Sequence, residues 1–142
     1  MKMWNGRESE LPDKELAEIS ALQLERAKQL LKTIPVLLEI GDSYSAVNRA
    51  YYAAFHAIKA LEVFDRFDSK KHSGLIAHFR MQYIKTGIFA RRYSEILTGL
   101  SLYRQDSDYN IFASIDIKTA TEQYENALDF VNAVEYYLQT QV

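Results

Sequence analysis

The chain contains no cysteine. Disulfides and thiolate chemistry are therefore excluded, and a zinc site would have to be built from His and carboxylates alone. Only two prolines and five glycines occur in 142 residues, and they fall where helices would begin or end. No run of about 18 apolar residues is present, so no membrane span is expected. The opening MKMWNGRESELPDKEL has no apolar segment of the kind a secretory signal needs, and the cytoplasm is the expected compartment. A basic surplus is missing too. The net charge of −2 argues against broad nucleic-acid binding, so no DNA specificity is expected and only a local basic patch remains open.

What is there suits a globular domain: 48% hydrophobic and 25% charged residues. A chain of this length forms one domain and buries a sizeable core without staples. A polar N-terminal tail is expected over 1–11, followed by a single helical domain over 12–142. Pro12 and Asp13 open the first helix, where Leu24, Ala27, Leu31, Ile34 and Leu38 repeat at helical spacing. Pro35 lies inside that pattern and predicts a kink or interruption near Thr33 and Ile34. Gly41 and Asp42 predict a turn, with Ser43 or Ser45 capping a second helix that runs to about Phe64. Ser73 is the expected cap of a third helix through Ile84, stopped by Gly87. A fourth is expected from about Arg91 to Tyr103, with RQDSDYNIFASID as a connection. Thr119 and Glu122 have the spacing of a capping box in the first turn of the last helix. Alternation of the β type is absent. The expected fold is all-α: an antiparallel bundle of four long helices plus a shorter one.

Three stretches stand out. In NRAYYAAFHAIKAL, residues 48–61, Val47, Tyr51, Ala54, Ile58 and Leu61 share one helix face. Arg49, Ala53, His56 and Ala60 lie opposite, with Tyr52 at the edge. Both faces look covered, which predicts the central helix of the bundle. The ordinary reading pairs Arg49 with a carboxylate and makes His56 a hydrogen-bonded interior histidine. In SKKHSG, residues 69–74, Lys71, His72 and Ser73 precede a helix start, where free amides and the helix dipole attract anions such as phosphate. The ordinary reading there is a solvated loop. In LYRQDSDYN, residues 102–110, Arg104, Asp106, Asp108 and Tyr109 are crowded together. Asn48, Arg49 and Tyr52 are expected to approach Arg104, Asp108 and Tyr109 as one polar cluster, with Arg49 and Asp108 as its pair. The carboxylates at 106 and 108 lack further ligands nearby, so neither a metal nor any other cofactor is expected.

NRAYYAAFHAIKAL, then KKHSG with Phe79 and KTG (Lys85 to Gly87), then RQDSDY, in that order, resemble the HEPN domain. The resemblance runs from about Leu16 to the last helix. It implies a compact helical bundle that pairs into a homodimer and is encoded beside a small nucleotidyltransferase, the two forming a toxin–antitoxin module. It further implies, for many members, a metal-independent ribonuclease whose signature is an Arg followed after four to six residues by a His. Here Arg104 is present and Tyr109 stands where that His would fall. Arg49 and His56 fit a similar spacing but lie on the second helix.

A metal-free ribonuclease needs a base for the ribose 2′-hydroxyl and a group that stabilises phosphorane charge. His serves as base near neutral pH, whereas Tyr, with a reference pKa of about 10, does so poorly. Two readings follow. In the first the protein is a toxin-type component acting on or binding RNA, with Arg104 stabilising phosphate charge and Arg49, His56 or His72 assisting as acid or base. In the second it is a non-catalytic module that binds a nucleotide and docks a nucleotidyltransferase. Asn48, Arg49, Tyr52, Lys71, His72, Ser73, Asp108 and Tyr109 form the binding set in both. A bare dimeric scaffold stands behind them.

Overall fold

A computed structural model of the protein describes residues 11–141. The tail expected over 1–11 lies, apart from Leu11, outside the described residues. Five α-helices follow in order: α1 (Asp13–Glu39), α2 (Ser43–Glu62), α3 (His72–Phe79), α4 (Arg91–Tyr109) and α5 (Ile117–Thr140). A single π-helical turn, Arg80–Ile84, extends α3. No strand occurs among the described residues. The expected all-α bundle of four long helices and a shorter one is therefore the observed fold.

α2 is the axis of the bundle and packs against α1, α3, α4 and α5. Its alanines explain how. Ala46, Ala50, Ala53, Ala57 and Ala60 are fully buried, and their small side chains let neighbouring helices approach closely on several sides at once. Val47, Tyr51, Ile58 and Leu61 fill the spaces between with bulk. Polar ties fix the register of neighbouring segments. Ser20 Oγ donates to the carbonyl of Ala60 at 2.7 Å, and Ser43 Oγ to that of Ile115 at 2.6 Å. A ring cluster of Phe79, Tyr83, Phe89, Phe130 and Tyr137 closes the far end of the core.

Several helix boundaries differ from expectation, each for a local reason. α1 continues through Pro35, and Ile34 beside it is fully buried against the bundle. Packing of that face outweighs the one backbone bond that proline removes. α2 is capped by Asp42, whose side chain accepts from Ser45 N–H at 3.1 Å, and not by Ser43 or Ser45. α3 starts at His72 with Lys71 in the cap position, so Ser73 is already inside the helix. Its continuation to Ile84 widens by one residue per turn, with Lys85 N–H donating to the Arg80 carbonyl at 2.9 Å. Asp116 caps α5 by accepting from Thr119 N–H at 2.8 Å, which places Thr119 within the first turn and leaves it no cap role. The largest correction concerns α4, which runs on to Tyr109 and takes RQDSDY into its last turns.

Candidate functional site

The extra turns of α4 decide the geometry of the site. Because residues 104–109 are helical, Arg104 and Asp108 are one turn apart, and Arg104 Nη1 lies 3.6 Å from Asp108 Oδ2. Asn48 Nδ2 donates to Asp108 Oδ1 at 3.2 Å, and Arg49 Nη1 donates to Asn48 Oδ1 at 2.9 Å. The expected pairing of Arg49 with Asp108 is thus replaced by a relay through Asn48. Arg49 points to the surface, and Arg104, whose side chain is 14% exposed, is the cation that Asp108 holds.

Arg104 stacks on the Tyr51 ring, with its guanidinium carbon 4.6 Å from the ring centroid. The Tyr51 hydroxyl is hydrogen-bonded to His72 Nδ1 at 3.1 Å. His72 in turn lies flat on Phe55 at 3.9 Å between ring centroids, and Tyr52 meets it edge-on at 5.9 Å. The result is a continuous chain from Asp108 through Arg104 and Tyr51 to His72. It joins the C-terminal turns of α4, the middle of α2 and the first turn of α3. Burial, followed by the charges of Arg104 and Lys59, holds the His72 imidazole below its ordinary value. Burial pushes the Tyr51 hydroxyl up, partly opposed by Arg104. At neutral pH the pair is therefore a neutral imidazole and a protonated phenol.

An open groove of about 840 Å³ runs from this chain between the α3–π segment and α4. Tyr51, His72 and Arg104 form one end, and Arg80 and Lys85 line the remainder. Among the described residues no carboxylate lines it. Arg80 is held in place by α4: Nε donates to Ser94 Oγ at 2.9 Å and Nη2 to Thr98 Oγ1 at 2.8 Å. Sequence reading missed Arg80, Thr98 and Gln105 as lining residues. Their signal was periodic: Ile76, Arg80 and Ile84 on one helix and Thr98, Ser101 and Gln105 on the other form stripes at helical spacing.

The remaining candidates divide. Ser73 lines the groove. Lys71 is exposed beside it, its amide donating to Ser69 Oγ at 3.3 Å. Tyr109 is 79% exposed at the end of α4 and outside the groove. His56 meets the Phe55 ring edge-on, and its Nδ1 is hydrogen-bonded to Gln23 Oε1 of α1 at 2.7 Å. Burial, then the charges of Lys59 and Arg26, pushes it down to about 4. His56 and Arg104 are thus not brought together, and the imidazole that joins Arg104 is His72. Among the described residues no group of three His, Asp or Glu is placed to hold a metal ion. No helix among them is long and apolar enough to cross a membrane.

The fold is shared with a solved structure from Thermus thermophilus, TT1696, at a TM-score of 0.69 and 21% sequence identity. The match covers 82% of this chain and 96% of that one. The family model of the HEPN domain matches residues 21–138. The chain belongs to the HEPN domain family. It is 32% identical over 122 residues to the putative toxin MJ0605 of Methanocaldococcus jannaschii, covering 86% of this chain and 90% of that protein. A UPF0332 protein of Thermotoga maritima is 28% identical over 114 residues, covering 80% of this chain and 86% of the relative.

Proposed function

We propose that this HEPN protein is a toxin-type component that binds RNA through its phosphates along the α3–α4 groove. The observation that carries the reading is the acid-free lining, in which Arg80, Lys85 and Arg104 face a common space beside a neutral imidazole. Guanidinium groups suit phosphate oxygens because they donate in a planar fork. Arg104 combines a ring stack with the Asp108 contact, so its head is oriented before any ligand arrives. MJ0605, a relative over most of the chain, bears the name putative toxin, which favours the same reading.

His72 is the group suited to base chemistry in this site. In the tautomer with Nδ1–H donating to the Tyr51 oxygen, Nε2 keeps its lone pair. It can then take the proton of a ribose 2′-hydroxyl. The 2′-oxygen would bond to phosphorus as the bond to the 5′-oxygen breaks, with Arg104 stabilising the phosphorane charge and water returning a proton to the leaving oxygen. The products would be a 2′,3′-cyclic phosphate and a 5′-hydroxyl.

A second reading is favoured by a different surface. Tyr109, Ile111 and Phe112 are 79%, 90% and 92% exposed at one end of the bundle. Such a patch suits docking of another protein, a nucleotidyltransferase-type antitoxin or a second copy of this chain. The test is incubation of short RNA with the purified protein in EDTA, alongside Arg104→Ala and His72→Gln, with binding read in parallel by fluorescence anisotropy. Cleavage and binding both weakened by Arg104→Ala, with cleavage alone lost in His72→Gln, are expected of a nuclease. Binding without cleavage would assign the non-catalytic role. Absence of both from folded protein would refute the RNA reading.

A further inference from the structure

A second cavity of about 280 Å³ lies on the α1 side of α2 and shares no lining residue with the groove. Glu62 forms part of its wall, together with Gln23 and Lys59, while Asp68 stands beside apolar Phe67 and Leu75. Glu62 is 1% exposed, and neither of its carboxyl oxygens has a hydrogen-bond partner among the described residues. A buried carboxyl left in this state is costly, and native interiors seldom keep one without use.

The nearby candidates to satisfy it are engaged elsewhere. Lys59 Nζ sits over the Phe55 ring, 5.7 Å from its centroid. Arg66 donates to Asp13 Oδ1 at 2.6 Å and to the Leu11 carbonyl at 2.5 Å. Gln23 accepts at its Oε1 from His56, so its amide nitrogen is the end left to donate. Asp65 accepts from the Tyr83 hydroxyl at 2.8 Å and pairs with His78 at 3.1 Å. Burial, followed by the charges of Asp65 and Asp68, pushes the Glu62 carboxyl up to about 9.

We propose that this cavity binds a small organic cation, a guanidinium on a short aliphatic stem, with Glu62 as its two-point partner. Both oxygens of Glu62 are buried and unpaired, and two unpaired acceptors match the paired N–H donors of a planar guanidinium. Ile19, Val63 and Leu75 offer apolar walls to the stem, and Asp68 adds a second carboxylate. The volume lies just below the usual range of ligand sites and limits the occupant to a few heavy atoms beyond the head group. The cation requires an ionised Glu62, so one proton leaves to solvent for each cation bound. The charged and titratable groups around Glu62 are Lys59 on its own helix, Asp65 and Asp68 in the following segment and Tyr83 in the π turn; Gln23 from α1 is neutral. This inference stands apart from the RNA reading.

The guanidinium could come from a free small molecule or from an arginine of a polypeptide. Calorimetric titration with agmatine and with N-acetylarginine amide separates the two, since the tighter binder identifies the source. Wild-type protein is expected to bind one of them with an affinity that rises about tenfold per pH unit between pH 6 and 9. Titration in buffers of different ionisation enthalpy should show about one proton released per cation bound. Glu62→Gln, which keeps the shape of the side chain, should lose at least about tenfold in affinity and all proton release. Lys59→Met removes a like charge from the wall and should tighten binding. Affinity independent of pH, or unchanged in Glu62→Gln, would overturn the proposal. So would no heat from wild type at about 10 mM of either probe, a concentration well above any specific dissociation constant.

Discussion

The guanidinium of Arg104 lies face-on to the ring of Tyr51 at 4.6 Å, and the same ring's hydroxyl reaches His72 Nδ1 at 3.1 Å. One aromatic side chain of α2 therefore couples a cation from α4 to an imidazole from α3. Arg104 is the second largest influence, after burial, that holds the His72 imidazole below its ordinary value. Replacing Arg104 by Ala removes that positive charge, so the His72 pKa should rise toward its reference of about 6.5. Proton NMR titration of the imidazole ring checks this. A lower or unmoved value would mean that the two groups are not electrically coupled.

His56 makes stability depend on acid. Its folded pKa, pushed down to about 4, lies below the unfolded value, so the unfolded chain binds more protons between the two. Stability is therefore complete above about pH 6.5 and falls as pH drops toward 4. Allowing for partial exposure, the loss should be about 1–2 kcal/mol. Urea unfolding at pH 7 and pH 4.5 measures it. His56→Gln should flatten this part of the profile, with the shift in His72 leaving a smaller slope of the same sign.

Gly74 is held by lack of space, since a β-carbon placed there would lie 2.3 Å from Ser69 Oγ and 2.9 Å from Ser69 Cβ. Gly74→Ala should cost about 1–3 kcal/mol through this overpacking. Removing the Ser69 side chain as well, in the Gly74→Ala, Ser69→Gly double variant, should recover part of that loss. Thermal unfolding of Gly74→Ala, Ser69→Gly and the double variant decides the matter. An additive double variant would mean that the clash is relieved elsewhere.

The helix caps supply a contrast. Asp42→Ala and Asp116→Ala each remove a side chain that accepts from a first-turn amide and should cost about 1 kcal/mol. Ser73→Ala, inside α3, should stay within about 0.5 kcal/mol. Chemical denaturation of the three side by side is sufficient. A large loss for Ser73→Ala would return the cap of α3 to that residue.

Legibility varied with the range of the physics involved. The helices were visible because apolar residues at helical spacing report which face is buried, whatever the neighbour. The central place of α2 followed from NRAYYAAFHAIKAL, where two opposite faces are covered and the small residues can only serve close packing. The caps were harder to read. Asp42, Ser43 and Ser45 can all cap in isolation, and the choice fell to Asp42 once the Ile115 carbonyl had claimed the Ser43 hydroxyl. The end of α4 was misplaced because Asp106, Ser107 and Asp108 have turn propensity. In the folded chain the Ser107 hydroxyl donates to the Tyr44 carbonyl at 3.1 Å, and Asp108 binds Asn48, so contacts with α2 hold those turns in helix.

The candidate site shows the same division. Residue type, which is local, singled out Arg104 and Asp108 as charges of the site and the rings of α2 as its aromatic wall. Tertiary packing decided which histidine would join them. His56 and His72 sit at positions 16 residues apart, and nothing in their immediate neighbours in sequence ranks one above the other. Only the fold of residues 63–71 brings the start of α3 onto Phe55 and Tyr51, while α1 claims His56 through Gln23. Contacts between distant segments depend on how whole helices stack, and a one-dimensional pattern of apolar and polar residues carries no record of that choice.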